Sequence, residues 1–143
     1  MPPRCTVGST FILRGHLWVI VAILPGPPER AVTVNITTKR QGSDLTVTLK
    51  SGDHDFIKHD TVVNYSDART FAKTDLIDRI EKRLFEQRNP FDQEILGAIQ
   101  EGLFASPFTP KNIKNSCTGV IGKLAATVTS TKPASTQIPN ESN

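Results

Sequence analysis

No stretch of this chain is apolar for long enough to cross a membrane. The longest run, Leu17 to Leu24, falls well short of the roughly 20 residues that a helical span needs. Cysteine is scarce: Cys5 and Cys117 stand alone near opposite ends. A disulfide framework is thereby excluded, and two reduced thiols are the expectation. No apolar segment follows Met1-Pro2-Pro3-Arg4, so a secretory leader is not expected and the cytoplasm is the expected location. There is no run of five Lys or Arg, which removes the densely basic type of nucleic-acid arm. No sequence period recurs, which excludes solenoids and coiled coils. A glycine-rich phosphate loop, a G-x-S-x-G elbow and an H-E-x-x-H pair are all missing. Cofactor-driven chemistry is therefore not expected, and no metal or cofactor is assigned.

What is present suits one α+β domain. The 143 residues carry 37% hydrophobic side chains, ten prolines and nine glycines, with a net charge of +3. Phe11 to Leu24 reads as a long strand or a bent pair, with Gly15 marking a bulge or a close backbone approach. Pro25-Gly26-Pro27-Pro28 stops it. Ala31 to Thr38 alternates Val32, Val34 and Ile36 with Thr33, Asn35 and Thr37, predicting one buried face and one polar face. Asp44 to Lys50 and Thr61 to Tyr65 read as further strands. The period then becomes helical. Leu76, Ile77, Ile80, Leu84 and Phe85 form one stripe, and Phe91, Ile95, Ile99 and Leu103 form another. The second helix is expected to open at Asn89-Pro90. Residues 111–124 show little pattern. The expected fold is a small, strongly curved antiparallel sheet or SH3-like barrel followed by two helices, over residues 1–124. The polar stretch 125–143 is expected to be a disordered tail.

All three histidines, His16, His54 and His59, fall in the strand-rich half. His54 and His59 share the dense polar segment 52–60 with Asp53, Asp55, Lys58 and Asp60. Two imidazoles and a cation suit attack of an RNA 2′-hydroxyl on its own phosphate. One ring takes the proton, the other protonates the leaving oxygen, and Lys58, Arg14 or Arg40 holds the phosphorane charge. Catalytic candidates are thus His54, His59, His16 and Lys58. The plain alternative is that the histidines make structural hydrogen bonds at strand ends. A zinc site is a third reading, at a spacing that matches no strong motif. Asn35, Thr37 and Thr38 could line one concave surface with Asp44 and bind sugar or phosphate oxygens. Trp18 reads as core, and Tyr65 as a packed ring with a hydroxyl to pair.

Several short segments carry a resemblance: Gly15-His16-Leu17-Trp18-Val19, Val34-Asn35-Ile36-Thr37, Gly52-Asp53-His54, Phe56-Ile57-Lys58-His59 and Val63-Asn64-Tyr65. Together they resemble a family of small bacterial proteins whose strand order is similar to that of the PemK/MazF-like toxins. That resemblance implies an SH3-like barrel that cuts messenger RNA without metal, dimerises and meets an antitoxin-like protein inhibitor. Arg14-Gly15-His16-Leu17-Trp18 keeps the Arg, Gly and Trp of the toxins' opening stretch but has His where an acid usually stands. Arg30 is the nearest match to the toxins' catalytic arginine, and Thr37 or Thr38 to its Thr or Ser partner. Substrate contacts are accordingly expected from Arg14, Arg30, Asn35, Thr37, Arg40 and Tyr65. The expected function is a toxin-like endoribonuclease acting on single-stranded RNA, whose bases and 2′-hydroxyls are the most accessible. The alternative is a non-catalytic SH3-like module that binds protein or nucleic acid.

Overall fold

The computed structural model describes residues 3–130, and side chains as far as residue 121. Strand β1 (Thr10–Leu13) turns through Arg14 and Gly15 into β2 (His16–Leu24). Both turn residues have positive φ, 56° and 80°, the geometry of a two-residue hairpin whose twist matches its strands. Gly15 is thus a turn residue, and the long apolar segment is a bent pair. Strands β3 (Arg30–Thr38), β4 (Thr48–Leu49) and β5 (Thr61–Ala72) follow. Then come α1 (Lys73–Glu81), β6 (Glu86–Arg88), α2 (Gln93–Ala105) and α3 (Lys111–Ser130). The six strands form one sheet in the order β4-β5-β3-β2-β1-β6, and each pairing is antiparallel.

The sheet curls into a half-barrel because two of its strands carry extra residues. The β2–β3 register shifts by one residue between Ile20 and Ala22. The β3–β5 register slips further, since Thr33 faces Arg69 while Asn35 faces Asn64. Residues 65–68 stand opposite Val34 alone, a surplus of three, and such bulges bend a strand and sharpen its twist.

Both faces of β2 are buried. Leu17, Val19 and Val21 join Leu96, Ile99 and Leu103 of α2 and Ile113, Cys117 and Ile121 of α3 in one core. Trp18 and Ile20 join Phe11, Phe85 and Leu76 of α1 in a second. A strand covered on both sides reads as a continuous apolar run, as Leu17–Leu24 does. The expected polar face of β3 is corrected for the same reason: Thr33 and Asn35 are buried, at 0% and 2% exposure.

Further expectations change. Among the described residues there are three helices, not two. Helix α3 carries Ile113, Cys117 and Ile121 at intervals of four and runs to Ser130. It therefore passes the boundary expected at residue 124, and the rest of the expected tail, 131–143, lies outside the described residues. The stretch 44–50 pairs only at Thr48–Leu49. Asp44 draws the Thr46 amide and hydroxyl to its own carboxylate, and such local bonds compete with a ladder. Leu45, expected inside, is exposed. Helix α1 stops at Glu81, and Arg83 at φ 62° turns Leu84 outward. Helix α2 is capped by Asp92, whose carboxylate accepts from the Ile95 amide, rather than by Asn89.

Helix α2 seats against Tyr65 at Gly102. The Tyr65 hydroxyl donates to the Ile99 carbonyl at 2.7 Å. A Cβ at Gly102 would stand 2.2 Å from that hydroxyl oxygen and 2.4 Å from Val47 Cγ2. Gly102→Ala should therefore lower stability by roughly 1–3 kcal/mol through overpacking, against the ~1 kcal/mol of helix propensity it gains. Tyr65→Phe should cost about 1 kcal/mol. Urea denaturation of both variants beside the wild type measures this.

Candidate functional site

Sheet register sorts the sequence-predicted residues by place. Leu17 faces Ile36 in the β2–β3 ladder, so one step further His16 stands level with Thr37. The Arg14–Gly15 turn, Thr37, Thr38, the 39–47 loop and residues 58–60 are therefore at one end of the sheet. Arg30 begins β3 at the other end, opposite Leu24 and Ala72, about 26 Å along the strand from Thr38. It does not join the others.

His54 does not open onto that end. It is 6% exposed, and both ring nitrogens are engaged. A carbonyl only accepts, so Nε2 donates to Asn89 O at 2.6 Å. Nδ1 accepts the Phe56 amide at 3.0 Å. The Asp55 carboxylate lies 2.9 Å from the same Nδ1. The Phe56 amide and the Asp55 Oδ1 thus both meet Nδ1, while Asp55 Oδ2 accepts from the Asn89 side-chain amide at 3.0 Å. The His54 ring also packs 4.9 Å from Phe91. Asn89 O takes a second donor, Thr10 Oγ1, at 2.6 Å. His54 thus ties the 51–60 loop to β1 and to the entry of α2.

His59 is the opposite case. It is exposed, and its Nε2 sits 3.0 Å from Thr38 Oγ1. Lys58 and His16 are exposed too. The paired use of His54 and His59 is not assembled, since the two rings turn to different partners. Asn35 and Tyr65, expected at a binding surface, are interior. Asn35 Nδ2 donates to Asp67 at 2.8 Å, which in turn accepts from Arg69. Burial chiefly, helped by the charge of Asp44, pushes the Tyr65 phenol far above its ordinary value, so it stays a hydroxyl donor.

The end of the sheet holds a cleft of about 220 Å³. The chain leaves β3 at Thr38 and crosses over β5 before pairing as β4. Beneath the crossing lie Thr37, Val62, Asn64 and Ser66; Gly42, Ser43 and Asp44 form the wall above, and Phe108 stands at the mouth. A larger, more open depression of about 540 Å³ shares Gly42 and Ser43 with the cleft and is lined by Lys39, Arg40, Leu45 and Asp60 among others. Thr37, Asp44 and Arg40 were foreseen from the sequence. Asn64, Ser43 and Phe108 were not. The one signal for Phe108 was an aromatic caught between Pro107 and Pro110, outside either helical stripe.

Asp44 fastens the wall. Its Oδ1 accepts from the Thr46 amide at 2.9 Å and the Thr46 hydroxyl at 2.6 Å, and its Oδ2 from Ser106 Oγ at 2.6 Å. Burial would raise its pKa, but the bonds from Ser106 and Thr46 outweigh that and hold it below the ordinary 3.8. Among the described residues no group of three or more His, Cys, Asp or Glu is placed to hold a metal. No helix of the described chain is long and apolar enough to cross a membrane.

Comparison with known proteins returns no relative: no family model matches the chain, and neither does a curated protein or a solved structure.

The two loop histidines should separate in a stability assay. His54→Ala removes both bonds and leaves a cavity, so a loss of about 2–4 kcal/mol is expected. His59→Ala should stay within about 0.5 kcal/mol of the wild type. Chemical denaturation with intact far-UV circular dichroism reads both. Asp44 adds a pH dependence. Because its folded pKa is depressed, its contribution is present above about pH 4 and is lost as pH falls through the folded value. The stability gap between wild type and Asp44→Asn should therefore shrink from pH 6 to pH 3.

Proposed function

We propose that the protein binds single-stranded RNA across the cleft at the open end of its sheet, as a small module of the toxin-like kind. The observation that carries this is the company Phe108 keeps. An aromatic ring, 57% exposed, stands at the mouth of a cleft lined by an amide and hydroxyls, with Lys39 and Arg40 on the adjoining loop. A ring for stacking, cations for the backbone and short polar groups for base edges are what a flexible single strand needs. A duplex would have to lie against a flat or grooved basic surface, and the net charge of +3 is modest for that.

Strand cleavage is the second reading, and one observation favours it. His59 is exposed on Thr38 beside Lys39 and Arg40, with His16 at the level of Thr37 on the same end. Endoribonuclease action would then run through His59 and His16 as base and acid, with Arg40 or Lys58 opposite the phosphorane charge. His54 has no part in it, since its ring serves the interior.

The test is fluorescence anisotropy with a labelled 20-nucleotide single-stranded RNA and its duplex. Gel lanes with and without EDTA run beside it. The single strand should bind, more weakly as salt rises, and Arg40→Ala with Phe108→Ala should cost at least tenfold in affinity. Equal or stronger binding of the duplex, or no binding of either, overturns the proposal. EDTA-resistant cleavage that His59→Ala abolishes establishes the nuclease; binding without cleavage leaves the non-catalytic module.

A further inference from the structure

We propose that the outer edge of β5 is an interface on which a second copy of this chain docks, strand against strand, to make one sheet across two molecules. Strand β4 pairs only with Thr61 and Val62, and Val47 reaches Val63 just beyond. From there to Ala72 the edge has no strand beside it among the described residues.

The path of the backbone decides which groups that edge presents. Lys73 donates its amide to the Glu29 carbonyl, and the Arg69 carbonyl accepts from the Thr33 hydroxyl. Residues 69, 71 and 73 therefore turn their amides and carbonyls toward β3. By alternation Ala68, Thr70 and Ala72 turn theirs outward. No turn or loop bond reaches the Ala68 or Thr70 backbone among the described residues. The two end strands of the sheet are guarded: β4 is two residues long and runs into Lys50, and β6 is charged at Glu86 and Arg88. Residues 67–72 hold no lysine or proline.

Self-complementarity names the occupant. Two identical antiparallel strands meet about a two-fold axis. With Thr70 on that axis, it exchanges both bonds with its copy, and each Ala72 amide donates to the partner's Ala68 carbonyl. The Ala72 carbonyl itself is spent as the first acceptor of α1. Asp67 then stands opposite the partner's Lys73 at both ends of the pairing, and Arg69 opposite the partner's Phe71. The adjoining registers set Arg69 against the partner's Arg69 or the partner's Lys73, and like charges directly opposite repel. Centring on Ala68 or Ala72 ends the ladder after one pair, at the bulge or at α1. The facing side chains are already posed. Arg69 lies 5.4 Å over the Trp18 ring, and Phe71 is braced edge-on by Phe11 and Phe85. Docking therefore orders little that is not ordered beforehand.

Size-exclusion chromatography with light scattering, run on the purified chain over a dilution series, tests this. The mass should approach twice 15.7 kDa at the concentrated end. Thr70 is exposed, so Thr70→Lys, which sets like charges on the axis, should run as a monomer with unchanged far-UV circular dichroism. Thr70→Cys should link to its own copy under mild oxidation and separate again in dithiothreitol. The Cα atoms of such a pair are about 5.5 Å apart, within disulfide reach. Ser66→Cys, roughly 25 Å from its copy along the strands, should not link. The native Cys5 and Cys117 are buried and stay out of the reaction. If Thr70→Lys fails to fold, the crosslink decides. A monomer at every concentration, a dimer that folded Thr70→Lys leaves whole, or a Thr70→Cys that does not link overturns the proposal. No RNA is present, so the result bears on this interface alone.

Discussion

A strand pair covered on both faces must answer the polar side chains it buries or leave them bare, and β2 and β3 occupy that position between α1 on one side and α2 with α3 on the other; Asn35 Oδ1 is buried there without a partner among the described residues. The polar groups they bury dictate their surroundings. Thr33 donates to the Arg69 carbonyl, and Asn35 donates to Asp67. The second half of β5 is therefore held by hydrogen bonds from the interior as well as by its ladder. Thr10 on β1 makes the same demand at Asn89, where His54 also arrives. The corner that launches α2 is thus placed by buried donors.

This arrangement explains why two histidines five residues apart take different roles. His54 stands where the loop passes under the sheet's edge, next to Phe91 and an Asn89 carbonyl that wants a donor. His59 stands where the same loop returns to β5 at the surface. Residue type gave them equal standing, and the backbone path separated them. What remains at the open end is a set of short polar side chains, one ring and a few cations, on strands too well packed to shift.

Much of the fold was readable because burial on both faces leaves a plain mark. Leu17–Leu24 is apolar throughout, the turns carry their glycines and prolines, and α2 shows its stripe at Leu96, Ile99 and Leu103. The extent of β5 was hidden by its own bulge: surplus residues at 65–68 break the alternation, so Ser66 to Thr70 look like a loop. Helix α3 was masked because Cys117 is the middle member of its stripe and Lys, Asn, Ser and Thr fill the rest of its first two turns, residues 111–118. Strand β6 has no apolar residue to announce it. The cleft was half legible. Thr37 and Asp44 were expected to share a surface, and they do. Phe108 and Asn64 could not be joined to them, because only the chain's crossing over β5 brings the four together.

The bond from Ser106 to Asp44 has a consequence for how the cleft meets a guest. Ser106 is the residue that closes α2, and α2 is braced by Tyr65 against the sheet that forms the cleft's floor. Wall and floor are therefore joined through α2, and the Ser106–Asp44 bond resists widening of the slot between them. A guest that fits enters without first having to freeze a wandering loop, so little of its affinity is spent on ordering the host. A guest too thick for the slot gains nothing by pushing, since widening it means pulling a carboxylate off its hydroxyl.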